Sequence, residues 1–157
     1  MSSLMHTVAD GVRAALAAGS FSLAVTPALN YETEMLLEGL TSLRCDVVPA
    51  AAQFESEDRG SARYTFGIDV GLRKKFAAAD AGTGGVVSQT AIAALIELLE
   101  EMNEYLANSA NRRFSGTYAD AVWQGSEIRY LWIPAHLRQN HQYTGVFRAT
   151  YLVDVDE

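Results

Sequence analysis

Three kinds of side chain in this sequence have the chemistry that a site would need: two neighbouring histidines, one cysteine and a group of glutamates. His136 and His141 are separated by four residues, a spacing that does not put both rings on one helix face. We therefore expect surface histidines in a loop and no metal site. Cys45 is the only cysteine and its alternating neighbours place it in a strand, which predicts a buried, inert thiol.

The glutamates Glu97, Glu100, Glu101 and Glu104 follow one another along a predicted helix. Glu100 and Glu101 are adjacent, so they point in different directions and make a poor acid–base pair. The chain also lacks a G-x-S-x-G elbow and a G-x-x-x-x-G-K-[ST] phosphate loop. We expect no cofactor, no metal and no enzymatic activity.

Basic residues occur in short groups. Arg73, Lys74 and Lys75 close a predicted strand, where a solvated strand end is the favoured interpretation and an anionic contact the alternative. Arg112 and Arg113 lie in a polar segment after the predicted helix. With 12 basic and 19 acidic residues the formal net charge is −7, which argues against a protein that grips the nucleic-acid backbone over a broad surface.

Length and composition indicate one domain over residues 1–157. Hydrophobic residues make up 49% of the chain and charged residues 20%, the profile of a soluble globular protein. A single cysteine favours a reducing compartment. We find no secretory leader and no apolar stretch of about 20 residues that would span a membrane, so a cytoplasmic location is expected.

The longest periodic segment, 88–109, predicts an amphipathic helix that covers the core. A helix of about 20 residues is about 30 Å long, enough to cross a small sheet. The glutamates fall mainly on the other side, which predicts a solvated face. The apolar stripe consists of Ile92, Leu95, Ile96, Leu99, Met102 and Leu106.

Before this helix, the periodicity predicts one helix and one short strand. Residues 3–18 have helical spacing and many alanines, with Gly19 as the stop. Residues 21–25 alternate as a half-buried strand that Pro27 ends. Residues 30–41 are compatible with a short helix or an ordered loop, and the sequence leaves both open.

Two alternating segments, 43–47 and 64–72, predict a long hairpin with its turn at 57–60. A register that sets Val47 opposite Val70 and Cys45 opposite Leu72 makes the apolar faces coincide. The outer half of the hairpin has few β-branched residues, and we expect it to project beyond the sheet.

The C-terminal part predicts further strands. Residues 118–123 and 127–133 indicate two strand pieces divided by a turn at 124–126, 135–145 a long polar loop, and 147–155 a last strand. Residues 77–87 are a glycine-rich connection. The predicted class is α+β: an antiparallel or mixed β-sheet packed on one face by a long central helix, with an N-terminal helix and a long projecting β-hairpin.

Three segments also carry a likeness to a known family: LAVTPALNYETEMLLEGL at 23–40, RYTFGIDVGLRKKF at 63–76 and GVFRATYLVDV at 145–155. Together with the order of the predicted elements, they resemble the tail terminator (tail completion) proteins of long-tailed bacteriophages. The likeness covers most of the chain and consists of sheet and helix patterns. The hairpin tip and the loop after Ile133 are long for the family, so the docking surfaces are expected to differ.

The resemblance implies a structural virion protein. Six copies would form a ring on the last ring of the tail tube, end tube polymerisation and offer a head-side joining surface. The implied partners are the tail tube protein, the head-tail connector protein and genomic DNA, which would slide through an acidic lumen without specific binding. The ring would lie in the virion at the head–tail junction, after assembly in the host cytoplasm and without a membrane partner.

The residues that we expect to contact neighbouring subunits or partners lie in the hairpin tip and in polar segments. They are Phe54, Glu55, Glu57, Asp58, Arg59, Arg73, Lys74, Lys75, Arg112, Arg113 and Arg138. One alternative function is a head-to-tail connector (neck) protein. A more remote alternative is a small enzyme whose site is assembled from scattered residues.

Overall fold

The computed structural model describes residues 3–32, 42–56, 59–76, 89–114 and 119–156. In chain order the elements are α1 (Leu4–Ala18), β1 (Pro27–Leu29), β2 (Arg44–Ser56), β3 (Ser61–Lys75), α2 (Gln89–Ala107), β4 (Val122–Tyr130), α3 (Pro134–Asn140) and β5 (Gln142–Asp156). The fold is therefore α+β, the predicted class. The predictions for 33–41, Glu57, Asp58, 77–88 and Tyr118 lie outside the described residues.

The five strands form one mixed sheet in the order β1-β2-β3-β5-β4. β1 runs parallel to β2, and all other neighbours are antiparallel. β3 and β5 pair along their full lengths, from Ser61 opposite Asp156 to Lys75 opposite Gln142. This central pair therefore fixes the register of the whole sheet.

Both long helices lie on the same face of the sheet. α1 contacts β1, β2 and β3, while α2 contacts β5 and β4, and the two helices touch each other. Alternate side chains of the central strands, such as Ile68 and Phe147, are fully buried beneath them. The core is thus covered by two helices side by side, and α2 covers only half of it.

The buried face of α2 is rotated about the helix axis relative to the predicted apolar stripe. Leu98, which the stripe omits, is fully buried, whereas Ile92 and Ile96 are only partly buried. The cause is the segment after α1, which lies along this side of α2: Phe21 packs edge-on against Tyr105 with ring centroids 5.3 Å apart. The segment after α1 therefore covers a side of α2 that would otherwise face water.

The β2–β3 pairing has the predicted register, with Cys45 opposite Leu72 and Val47 opposite Val70. A bulge between Pro49 and Ala51 then shifts the pairing by one residue. The outer half differs from the expectation of a two-stranded projection, because β5 continues beside β3 to its end. We call this three-stranded part, residues 50–56, 61–67 and 150–156, the outer ribbon.

The predicted strand at 21–25 is wrong, and the strand begins at Pro27 instead. Pro27 pairs in parallel with Cys45 at the sheet edge, where the missing N–H of a first strand residue is tolerated. The alternation of Phe21, Leu23 and Val25 misled the prediction because Phe21 packs on a helix and Leu23 is exposed.

Two C-terminal predictions are also wrong. β4 is one continuous strand, and residues 124–126 form no turn, because the chain absorbs Gln124 in a bulge between Trp123 and Gly125. The predicted polar loop 135–145 contains α3 and the start of β5. Pro134 does not only end the preceding strand but begins this helix, a position where its missing N–H costs nothing.

We expect Gly145→Ala to lower the free energy of unfolding by about 1–3 kcal/mol, the usual cost of overpacking. An added Cβ would lie 2.9 Å from Cζ of Tyr143 and 3.1 Å from Cδ2 of Leu99. The tyrosine ring is held in place, because its hydroxyl donates to the Leu131 carbonyl at 2.7 Å. Urea unfolding followed by circular dichroism measures the difference.

The matched control is Gly125→Ala in β4, where an added Cβ meets no atom within 4 Å. This change is expected to shift stability by no more than about 0.5 kcal/mol. Equal losses in the two variants would contradict the close approach at Gly145.

Candidate interaction surfaces

A buried ion pair lies on the sheet face opposite the helices. Asp46 alternates with the core residues Cys45 and Val47, and its Oδ2 accepts a hydrogen bond of 2.5 Å from Nη2 of Arg73. Both side chains are at most 2% exposed. Asn30 donates to the other carboxylate oxygen at 3.2 Å. The interpretation of Arg73 as a solvated strand end is therefore wrong, because Asp46 on the neighbouring strand holds its guanidinium inside the subunit.

A second cross-strand cluster surrounds Asp69. Arg148 donates from Nε to Oδ1 at 2.7 Å and from Nη2 to Oδ2 at 3.2 Å, a two-pronged geometry. Arg129 approaches the same carboxylate at 3.6 Å. The hydrogen bond to Asp69 raises the pKa of Arg148, against the opposing effect of burial. These charges satisfy one another across three strands and act as structural ties.

The histidines occupy different settings from the predicted surface loop. His136 lies in α3, with Nδ1 2.8 Å from the Thr144 hydroxyl, which also accepts from Gln142 at 2.9 Å. His141 ends α3 in the left-handed conformation, with φ at 50°. Within the described ranges no three His, Cys, Asp or Glu side chains are grouped as metal ligands would be.

The Cys45 thiol is buried, with 2% of the residue exposed. Burial, with a further contribution from the negative charge of Asp46, raises the pKa of this thiol to about 12. Because the thiolate is the reactive form, the side chain is a packing residue.

We expect stability to fall with pH above about 9, since an unfolded thiol titrates near 8.5 while the native thiol keeps its proton. The contribution is complete below the unfolded pKa and is lost at up to about 1.4 kcal/mol per pH unit above it. Urea unfolding between about pH 8 and pH 9.5, below the ordinary tyrosine pKa of about 10, measures the slope. Cys45→Ala should flatten it, and an unchanged slope in that variant would contradict the assignment.

An aromatic ladder runs from the core into the outer ribbon. Phe66 is buried, Tyr64 stacks on it at 5.2 Å, and Phe54 packs on Tyr64 at 4.9 Å. Phe54 is 53% exposed at the edge of the sheet. The predicted contact residues Glu55 and Arg59 are also exposed here. The ribbon thus presents one large apolar side chain among charged ones.

The remaining predicted cations are spread over the molecule. Arg113 is exposed and lines an open polar pocket of about 300 Å³ beside the outer ribbon, next to the Arg63–Asp154 ion pair of 2.8 Å. Arg112 packs over the Trp123 ring at 5.0 Å. The structure therefore brings Arg113 to the ribbon, and it places Arg112 on Trp123, which pairs with the ribbon residue Tyr151.

Lys74, Lys75 and Arg138 lie away from the ribbon, near the first residues of β5. Lys75 pairs with Gln142, and the ammonium of Lys74 lies 5.4 Å from the Phe76 ring centroid. Arg138 is exposed in the last turn of α3. Among the described residues, the predicted contacts thus form two separate groups at opposite ends of the sheet.

One apolar surface was missed by the sequence analysis. Four large side chains at the end of β4 and just after it are 36–44% exposed: Ile128, Tyr130, Leu131 and Trp132. Trp132 and Leu137 also form one wall of a groove of about 380 Å³, whose other wall is the first half of α2. We call this the α2 groove; it is lined by Gln89, Ile92, Ala93, Ile96, Trp132 and Leu137. The unalternating run YLWI at 130–133 was the available signal.

Neither a protein-family model nor a curated protein matches the chain. In the described part of the chain, none of the helices combines the length and the apolar character needed to cross a bilayer.

Proposed function

We propose that this chain is a tail terminator: a virion protein that assembles into a hexameric ring, caps the tail tube and ends its polymerisation. The observation that supports the proposal best is the presence of two unlike open edges on one sheet. Edge strands carry backbone groups that a neighbouring chain is able to pair with.

The first open edge is the outer part of β2. β1 pairs with β2 only from Cys45 to Val47, so residues 50–56 have no further strand beside them in the described part of the chain. All seven of these residues are exposed. The edge therefore offers an extended, accessible segment with Phe54 at its centre.

The second open edge is β4, at the other side of the sheet. Residues 112–114 pair with its first residues, through hydrogen bonds such as Trp123 N–H to the Arg112 carbonyl at 2.7 Å. The rest of β4 carries bulges at Trp123/Gly125 and Ile128/Tyr130. Bulges limit indiscriminate strand addition, so this edge favours a selective partner.

A contact between two different surfaces of identical subunits is heterologous, and such contacts close into rings when the rotation allows it. The helix-covered sheet would be the rigid body of each subunit, with the outer ribbon reaching towards a neighbour. The net charge of −7 supports a lumen through which DNA slides. Tail tube protein and head-tail connector are the proposed partners on the two ring faces.

The proposed role is structural and not catalytic. The buried charged groups that an active site would draw on are engaged in cross-strand ties, Asp46 with Arg73 and Asp69 with Arg148. Native mass spectrometry tests the ring: we expect a mass of six 17.0 kDa subunits. A monomer at all accessible concentrations, above all one with hydrolytic turnover, would contradict it.

Phe54→Asp is expected to leave the fold intact and to reduce ring assembly at least about tenfold, the effect of losing a buried aromatic anchor at an interface. Phe54 is already 53% exposed, so the subunit itself loses little. Size-exclusion chromatography with light scattering gives the assembly constant, and circular dichroism reports the fold.

The matched control is Leu23→Asp, since Leu23 is also exposed, at 39%, but belongs to the chain segment before β1 and not to the outer ribbon. It should assemble like the wild type. If both variants assembled normally, the outer ribbon would not be a subunit contact.

A further inference from the structure

The α2 groove combines apolar walls with an open mouth. Ile92, Ala93 and Ile96 form the wall on α2, and Trp132 and Leu137 form the facing wall. Trp132 is 44% exposed, although tryptophan is among the residues that contribute most when they are buried at an interface. The volume of about 380 Å³ suits the side chains of a peptide segment and lies at the low end for a small-molecule site.

A row of carboxylates borders this groove. Glu100 follows Ile96 by four residues, Glu97 follows Ala93 by four, and Glu104 continues the row, so they lie next to the groove on the α2 surface. All three are exposed. α2 has no Lys or Arg, and among the described residues none of the three glutamates forms an ion pair.

The fourth glutamate of α2, Glu101, differs from the other three because it has hydrogen-bond partners within the subunit. Glu101 accepts hydrogen bonds from the Ser22 hydroxyl at 2.6 Å and from the Ser22 backbone N–H at 3.2 Å. It therefore ties α2 to the segment after α1. The other three carry uncompensated charge on the side that borders the groove.

The two walls meet near Glu100. The Tyr143 hydroxyl donates to the carbonyl of Leu131, the residue before Trp132. The pKa of this phenol is raised by burial and, as a second cause, by the negative charge of Glu100. Apolar wall and acidic row are thus parts of one continuous surface.

We propose that the α2 groove binds a basic amphipathic helix of a partner protein. The apolar side chains of that helix lie between α2 and Trp132, and its Lys and Arg side chains face Glu97, Glu100 and Glu104. The inference goes beyond the tail-terminator role and does not depend on ring formation.

A second copy of this chain suits the groove less well. Outside the groove region, the most exposed large apolar side chains that the structure describes are Phe54 and Tyr31, and each is followed by a glutamate, Glu55 or Glu32. Docking either segment would place like charges beside the acidic row, which disfavours the contact. The charges on both sides therefore indicate a foreign, basic partner.

The test uses two labelled helical peptides of about four turns, with identical leucines at i, i+3, i+4 and i+7 and either lysine or glutamate elsewhere. Fluorescence anisotropy is measured with the full chain at low and high salt. We expect the lysine peptide to bind at least about tenfold more tightly than the glutamate peptide, with the preference shrinking as salt screens the charges.

Two variants separate the components of the site. Ala93→Arg places a bulky cation in the groove and should weaken the lysine peptide at least about tenfold, whereas Ala17→Arg, on an exposed position of α1, should not. Glu100→Gln should weaken the lysine peptide about threefold and leave the glutamate peptide unchanged or slightly tighter. All these positions are at or near the surface, and circular dichroism checks that each variant folds.

Binding of the lysine peptide that is lost in Ala93→Arg supports the proposal. Equal affinity for both peptides, or equal binding to Ala93→Arg and Ala17→Arg, would overturn it. A wild-type oligomer that dissociates in Ala93→Arg while no peptide binds would also overturn it, since the groove would then hold a second copy. An intact ring in Ala93→Arg with lost peptide binding would show that the two proposals are independent.

Discussion

Leu99→Asp is expected to leave the chain unfolded, whereas Ile96→Asp, one turn earlier on the same helix, is expected to fold. Leu99 lies on the buried face of α2 and is fully buried in the hydrophobic core, where a carboxylate is costly. The expected cost exceeds about 4 kcal/mol, a large part of the 5–15 kcal/mol that stabilises a typical domain. Ile96 is only partly buried against the core and lines the open α2 groove, where an added carboxylate stays in contact with water.

Circular dichroism and urea unfolding of the two variants measure this difference directly. Both substitutions replace an aliphatic side chain with the same carboxylate. The helix propensities of Leu and Ile differ by less than about 0.7 kcal/mol, so the difference in burial dominates. A folded Leu99→Asp, or an unfolded Ile96→Asp, would contradict the placement of the buried face of α2.

Asp46→Ala is expected to lower the free energy of unfolding by about 3–5 kcal/mol, because it leaves the buried Arg73 guanidinium without its carboxylate. The cost comes mainly from keeping the Arg73 charge buried without this carboxylate and less from the lost attraction. A double variant, Asp46→Ala with Arg73→Met, removes both charges and should recover at least half of the loss. Urea unfolding of the single and double variants gives the coupling free energy.

Arg63→Met is the control variant, because it removes one partner of an exposed ion pair. It breaks the Arg63–Asp154 pair, in which Asp154 is 66% exposed, and surface pairs contribute about 0–1 kcal/mol. If Asp46→Ala lowered the free energy of unfolding no more than Arg63→Met, the Asp46–Arg73 pair would not stabilise the fold as a buried ion pair.

The strictly periodic parts of this fold follow from local sequence. α1 has helical spacing and the inner half of the β2–β3 hairpin has a strict period of two, and a slip by one residue would move Val47 and Val70 into water. Such patterns determine the element and its register without knowledge of the rest of the chain.

Other parts depend on contacts that a local pattern does not contain. β1 exists because Pro27 lies beside Cys45, far along the chain. The bulge at Gln124 turns an apparent hairpin turn into a continuous strand only because β5 pairs on both sides of it. Arg73 resembles a solvated strand end until Asp46 is placed beside it on the neighbouring strand.

Of the candidate surfaces, the outer ribbon was predictable from local sequence and the α2 groove was not. Phe54, Glu55 and Arg59 are exposed at the outer ribbon, as expected for a hairpin rich in polar and small residues. The α2 groove was not predicted, because its walls come from α2, the end of β4 and α3, which no sequence window contains. The glutamates next to it resembled an ordinary solvated helix face.

The length distribution of tail tubes in a lysate of phage that lacks this protein tests the proposed function most directly. Overlong tubes, restored to normal length when the protein is supplied, are the result that a tail terminator predicts. Tubes of normal length that fail to join heads would contradict it and indicate a connector instead.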